Sequence, residues 1–380
     1  MVGTPGAEVN REHRKEDAMQ LSTLQDLYAH DGPFVTVHVD VSRNTEDAAR
    51  QLRTRWTTIR QDLEQQSVAP ELVEEIGERL LDPVSSPGEV RRTIVAAAGE
   101  ILFDEAVSGH APWPESVVVG DLPDLSGWLR HADGQFPFLL VVADREGADI
   151  DFFSSLTSAT ATLHSEVDGE SDHLHKIRGG GWKHKRIQQR AENQWESNAR
   201  EVAEEVRSLT VRNRPRVVLL AGDERARVAI TESLDGLPSE LVHLPSGGRA
   251  AGSSTEALWH DVRMTLARIE ADDQRELSSQ LEAKWRQGNG AALGVDDVLH
   301  ALTQHQVEKL VLDLGKAQEI TVDPARWSGL PLPEQARLDR ALPAAQVLVA
   351  AGAATDATIT VLPEAQGKGG GVAAVLRWDG

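Results

Sequence analysis

The 380-residue chain contains no cysteine. That excludes disulfides, zinc sites built on thiolates, iron–sulfur clusters and cysteine nucleophiles, and it fits a reducing compartment. Long apolar runs are also missing; none approaches the roughly 20 residues that a membrane span needs. The first residues are charged (Arg11, Glu12, Arg14, Lys15, Glu16, Asp17) and lack the apolar centre of a signal peptide. A soluble, cytoplasmic protein with no membrane partner is expected. Cations are in short supply, 39 Lys and Arg against 60 Asp and Glu, for a formal charge of −21. A uniformly basic nucleic-acid coat is excluded, so any contact with RNA has to come from a local basic island. No internal repeat is visible. What is present is enough apolar material, 40% of residues, for cores in two or three domains of roughly 100–200 residues each.

The patterning divides the chain into α/β blocks. Residues 1–17 lack an apolar period and read as a disordered tail. An N-terminal α/β domain is expected over 18–134. It opens with a short helix carrying Leu21, Leu24 and Leu27, broken by Asp31-Gly32-Pro33. Phe34 to Val41 alternates strictly and predicts a half-buried strand. Thr45 to Leu81 has helical spacing (Leu52, Trp56, Ile59, Leu63), and strands are expected at Thr93–Ala98, Ile101–Asp104 and Ser116–Val119. A central α/β domain is expected over 135–286. Phe138–Ala143 and Arg216–Ala221 are continuous apolar runs, as in strands buried on both faces. Asp149–Phe153 pairs with the first across a turn. Residues 165–181 are polar and Gly-rich and read as a long loop. Ile187 to Leu209 is the first long helix, Ala226–Leu234 a second, Leu241–Leu244 a strand, and Thr255 to Arg286 a long helix with Leu258, Val262, Leu266 and Ile269 on one face.

Gln287-Gly288-Asn289-Gly290 is the clearest linker. Beyond it, 291–380 alternates helices and strands and predicts a small C-terminal α/β/α sandwich. A helix is expected around Val295–Leu302 and strands at Glu308–Leu314, Ile359–Leu362 and Val372–Arg377. Gln335–Leu342 reads as helix, Ala345–Ala351 (AQVLVAA) as strand, and Gly352-Ala353-Ala354 as a sharp turn. The fold class is thus α/β in three domains, the central one bearing a long basic Gly-rich loop.

That loop concentrates the chemistry. From His173 to Arg190 the sequence runs HLHKIRGGGWKHKRIQQR, with Lys176, Arg178, Lys183, Lys185, Arg186 and Arg190 and no acidic residue. Gly179, Gly180 and Gly181 let backbone approach a ligand closely. Six cations create a local positive field in an anionic chain. Trp182 offers a face on which a base can stack, and His184 adds a polar contact. The combination predicts a loop that touches RNA phosphates, against the plainer reading of a solvated basic face paired with the protein's own acids. A metal site from His173, His175 and His184 lacks a carboxylate at suitable spacing, so no metal and no cofactor is expected. Asp144 and Asp223 end buried strands, where turn residues are the commoner explanation. Gly247-Gly248 lacks the Lys-Ser/Thr of a phosphate loop and reads as a connector. Trp56, Trp259 and Trp285 fall on apolar helical stripes and are expected in cores.

With these pieces in order, the chain resembles the archaeal and eukaryotic class-1 release factors and Pelota. More closely it resembles their bacterial relatives, the archaeo-eukaryotic release factor-like proteins of actinobacteria, kin of the hibernation factor Balon. GPFVTVHVD, GGGWKHKRIQQRAEN, GVDDVLHALTQHQVEKLVL and ALPAAQVLVAAGA carry the resemblance, which extends from about Leu21 to Trp378. It implies a ribosome-binding translation factor whose central loop reaches the peptidyl-transferase centre, with rRNA and tRNA as contacts, elongation factor Tu as a partner through the third block, and a third block shaped like a kink-turn-binding ribosomal protein. In true release factors the loop reads Gly-Gly-Gln, and the glutamine's backbone N–H stabilises charge during ester hydrolysis. Here Trp182 or Gly181 stands at that place, and the nearest glutamines, Gln188 and Gln189, lie six or more residues on. The departure implies occupation of the A site in stress or hibernation without peptide release. The alternative is a peptidyl-tRNA hydrolase for stalled ribosomes acting through the same loop, and a weaker third is a ribosome-independent RNA-binding or scaffold protein.

Overall fold

The structure, a computed structural model, describes residues 24–378 except 44, 46, 85–88, 109–112, 134–135, 155–160, 169–180, 235, 250–253, 289, 334–339 and 363–369; at 108, 133 and 168 and over 181–193 it describes the backbone alone. The disordered-tail reading of 1–17 therefore lies outside the described residues, as does 335–339 of the expected 335–342 helix.

The chain falls into two compact units. One contains 13–134 together with 271–380, and the other 135–270. Within the first, a short helix α1 (24–28) precedes β1 (Phe34–Asp40). The expected single helical stretch is two helices, α2 (Ala48–Gln65) and α3 (Pro70–Leu81). Ser67 at φ 62° and Pro70 in the first turn of α3 make the break, since proline suits a helix start and no helix interior. Then follow β2 (Val90–Ala97), β3 (Glu100–Ser108), β4 (Ser116–Gly120) and α4 (Ser126–Asp133). The sheet order is β3-β2-β1-β4, with every pair at β1 and β2 antiparallel. β1 is not half-buried as its alternation predicts; it is covered on both faces. Val35, Val37 and Val39 pack against α2 and α3, while Thr36 and His38 are buried on the other face. A polar residue in an alternating strand marks a solvent face only when nothing covers it.

The central unit is a three-layer α/β/α sandwich. Its elements are β5 (Phe138–Ala143), β6 (Gly147–Phe153), β7 (Leu163–Asp168), α5 (Gly181–Asn213), β8 (Val217–Gly222), α6 (Glu224–Ser233), β9 (Glu240–His243) and the first half, to residue 270, of α7 (Thr255–Arg286), whose remainder belongs to the other unit. The sheet order is β7-β6-β5-β8-β9, with β5, β8 and β9 parallel and the β5-β6-β7 edge antiparallel. Leu139, Val141 and Ala143 face α5 and α6, through Val202, Val206, Leu209 and Ile230. Phe138, Leu140 and Val142 face α7, through Leu258, Val262, Leu266 and Ile269. Both faces are covered, which is why β5 and β8 read as unbroken apolar runs.

In the third block, β10 (Ala291–Leu293), α8 (Val295–Thr303), β11 (Val307–Leu312), α9 (Leu314–Glu319), β12 (Thr321–Val322), β13 (Leu342–Pro343), α10 (Ala344–Ala354), β14 (Thr358–Val361) and β15 (Val372–Leu376) follow. The main sheet runs β10-β15-β11-β14. Leu310 and Leu312 point to the core with α8 and α10, and Val311 points to Leu277 and Leu281 of α7. Helices thus cover both faces, as an α/β/α sandwich requires. One expected element is wrong: Ala345–Ala351 is helix, and Gly352–Ala354 continue it. Residues Ala344 to Ala353 are all buried. A helix enclosed on every side shows no amphipathic period, so its sequence cannot be told from a buried strand by pattern. Leu342, expected in helix, lies in β13. Trp285, expected in a core, is 40% exposed.

Candidate nucleic-acid interface

The basic segment is entered from β7 and left through α5, both anchored on the central sheet. β7 is a correction: 165–168 is not loop but the second half of an edge strand paired with β6, Asp149 opposite Glu166 and Asp151 opposite His164. It carries few apolar residues because an edge strand needs only one packed face, here Leu163 and Val167. Gly147 permits the close approach, since a Cβ there would sit 1.8 Å from the Val167 carbonyl oxygen. The Arg249 guanidinium ties the strand down, with Asp144 at 3.4 Å, Asp149 at 3.2 Å and Glu166 at 3.2 Å. The exposed His164 donates through Nδ1 to the Asp151 carboxylate at 2.7 Å, and that hydrogen bond and charge raise its pKa.

β7 runs in the same direction as β5, so it delivers the chain to the carboxyl end of the parallel strands. Open α/β sheets place ligand contacts at that end. Two turns close β5 and β8 there. The Asp144 carboxylate accepts the N–H groups of Glu146 (2.8 Å) and Gly147 (3.0 Å). Asp223 caps α6, accepting the N–H groups of Arg225 (3.0 Å) and Ala226 (3.2 Å). Partial burial pushes the Asp223 pKa up. The N–H of Ala226, the Arg145 guanidinium and the N–H of Arg225 outweigh this and hold it below the usual carboxylate range. Both aspartates are therefore the strand-end turn residues that their positions predict.

Between α5 and α6 lies a cavity of about 160 Å³, with Ala199, Val202, Ala229 and Ile230 on its apolar wall and Arg145, Trp195, Asn198 and Arg225 at its polar side. Arg145 stacks over Trp195 at 4.8 Å and pairs with Asp223 at 3.6 Å. The buried Asn198 donates to the Arg145 carbonyl at 3.1 Å. These contacts lock the middle of α5 to the sheet. The sequence reading passed over Arg145, Trp195 and Arg249. Arg145 follows a buried parallel strand, a signal that could have found it; Arg249 is placed only by the tertiary fold.

Lys176, Arg178, Gly179 and Gly180, with His173 and His175, lie outside the described residues. Gly181, Trp182, Lys183, His184, Lys185, Arg186 and Arg190 lie within α5. The loop reading is thus corrected for 181–186: the helix starts at Gly181, not Ile187. After the glycines the sequence holds no proline or glycine until the helix ends at Asn213, and Lys, Arg, Gln, Glu and Ala favour helix. The first turn of this 33-residue helix contains no acid. Cations at a helix N-terminus stand where the macrodipole is already positive, each costing about 0.3–1 kcal/mol, and an anion placed there relieves both.

Residues 137–287 match the model of bacterial archaeo-eukaryotic release factor family 2. Over this segment the chain is similar to the bacterial archaeo-eukaryotic release factor-like proteins. Two uncharacterized proteins of Mycobacterium tuberculosis, from strains CDC 1551 and H37Rv, are each 27% identical over 356 residues, covering 89% of this chain and 93% of the relative. Among solved structures, an archaeal translation termination factor is similar at 16% identity, over 96% of this chain and 98% of that one, with a TM-score of 0.25. Ribosome-bound archaeal Pelota is similar at 13% identity over 94% of each chain, with a TM-score of 0.42. Both TM-scores lie below the level at which a common global fold follows. Among the described residues, no helix is long and apolar enough to cross a membrane.

Proposed function

We propose that this chain is a ribosome-binding translation factor that occupies the A site during stress or hibernation without releasing peptide. The observation that supports it is the acid-free cationic run of 176–190, which falls inside the segment matching the release factor family and leads into the N-terminus of α5. Phosphates of rRNA or tRNA supply the negative charge that this helix start lacks. Kinship with the actinobacterial hibernation branch, delivery by elongation factor Tu through the third block, and a cytoplasmic location belong to the same reading. Hydrolysis does not, because no glutamine directly follows the glycines.

The test is co-sedimentation of the full chain with vacant ribosomes over a salt series. Replacing Lys183, Lys185 and Arg186 by Ala removes three cations. The slope of log affinity against log salt should shrink by about 2–3, at roughly 0.7–0.9 per phosphate contact. An unchanged slope and affinity would exclude the assignment. A parallel assay with peptidyl-tRNA on ribosomes should show no peptide release at saturating protein; efficient release would replace this reading with the hydrolase.

A further inference from the structure

Among the described residues, apolar packing of α5 on the central sheet runs from Ala199 to Leu209. The cations lie upstream of that stretch. At ~1.5 Å rise per residue, Arg190 is about 14 Å before Ala199 and the helix start at Gly181 about 27 Å. Leverage follows from that length: a tilt of about 10° about the packed stretch displaces the helix start by about 5 Å. Packing at the upstream end of the stretch is also incomplete. The cavity of about 160 Å³ between α5 and α6 is walled by Ala199, Val202, Ala229 and Ile230, so apolar contact there leaves α5 room to lean.

One residue bridges that room. The Arg145 carbonyl accepts from Asn198 Nδ2 at 3.1 Å, its guanidinium lies 4.8 Å over the Trp195 ring, and the same group pairs with Asp223 at 3.6 Å. Trp195 and Asn198, three residues apart, share one face of α5, and Asp223 caps α6. The turn carrying Arg145 is itself braced, because the Asp144 carboxylate accepts the Glu146 and Gly147 N–H groups and pairs with Arg249. Arg145 therefore ties the end of β5 to both helices, and among the described residues this is the fastening nearest the cationic turns. An arginine kept for phosphate would hold its fork open; this one is committed to a ring and a carboxylate.

We infer, on the ribosome-binding reading above, that Arg145 is a positioning residue: it sets the direction of α5, and so the place of Lys183, Lys185, Arg186 and Arg190, without contacting RNA itself. Two measurements on the full chain test this, co-sedimentation with vacant ribosomes and hydrogen–deuterium exchange of the free protein over 185–198. Arg145→Ala removes a cation and Trp195→Ala removes none, yet each should weaken binding by about tenfold, and the double variant should lose little more than either alone. Trp195→Phe keeps a π face and should stay within about threefold of the native chain. Both alanine variants should speed exchange over 185–198 by about tenfold. Leu209→Ala, at the far end of the packed stretch, lowers stability by creating a cavity and should leave binding by the folded protein within about threefold. Native binding by Trp195→Ala, losses that multiply in the double variant, unchanged exchange, or an equal loss in Leu209→Ala would each overturn the positioning role. Failure of the ribosome reading shows separately: the native chain does not co-sediment, or the triple-alanine protein co-sediments like it, while exchange over 185–198 still responds to Arg145→Ala.

Discussion

Gly222, at the end of β8, tests how the carboxyl end of the central sheet is built. It lies opposite Ala143 in the parallel pairing of β5 and β8 and has φ 111°. A Cβ there would sit 1.8 Å from the Ala143 carbonyl oxygen and 2.8 Å from its carbonyl carbon and nitrogen. All three atoms are backbone, so no side chain can swing away. Gly222→Ala therefore meets two penalties. Forcing alanine into the left-handed region costs about 1–2 kcal/mol, and displacing packed backbone costs a further ~1–3 kcal/mol, for a total of about 2–5 kcal/mol. Gly236 in the same unit is the internal control. It also has positive φ, 74°, but a Cβ there would meet nothing within 4 Å. Gly236→Ala should cost only the conformational part, about 1–2 kcal/mol. Urea unfolding of both variants, followed by tryptophan fluorescence and by circular dichroism, gives the difference. Equal destabilisation of the two variants would refute the close-approach reasoning.

Three further outcomes are expected. Arg92 is 10% exposed in its side chain and forms a two-point pair with Asp104, Nε to Oδ1 at 2.6 Å and Nη2 to Oδ2 at 2.8 Å. Asp104→Ala leaves that guanidinium buried without its carboxylate and should cost about 3–5 kcal/mol in denaturant unfolding; a loss below about 1 kcal/mol, the scale of a surface pair, would show the pair to be solvated. His38 is buried beside His131, with Nδ1 on the Thr93 hydroxyl at 2.8 Å, and burial, then the His131 and Arg91 charges, lower its pKa from 6.5 to about 4. The unfolded chain binds the extra proton between those values, so stability is complete above pH 6.5 and falls as pH drops towards 4, by of order 3 kcal/mol. His38→Gln should flatten that slope, and an unaltered slope would assign the acid sensitivity elsewhere. Asp223→Ala removes the α6 cap and the Arg145 partner, and should lower stability by about 1 kcal/mol; Asp223→Ser should recover most of it, and no recovery would show that capping is not the cause.

How much of this was readable beforehand follows from which faces are covered. β5 and β8 were legible because strands enclosed by helices need apolar residues on both sides. α7 was legible from Leu258, Val262, Leu266 and Ile269, which all face one sheet. β7 was not, because an edge strand with one packed face reads LHSEVD and carries too little apolar signal. α10 was mistaken for a strand because it has no solvent face to impose a period. In the candidate interface, the cationic run was plain in the sequence, but its division between segment and helix was not: lysine, arginine and glutamine serve both, and packing of Ala199, Val202 and Val206 against the sheet supports the helix far downstream of its start.

Sequence by itself determined the charge contrast, the glycines and the missing glutamine, since these are properties of residue identity and need no fold. Only the tertiary structure decided that Asp144, Asp149 and Glu166 converge on Arg249, that Arg145 is spent on Trp195 and Asp223, and that Trp285 lies 40% exposed at the end of α7 rather than in a core. Those outcomes depend on which surfaces the packed layers leave uncovered, and linear spacing along the chain does not specify where a helix outruns its sheet.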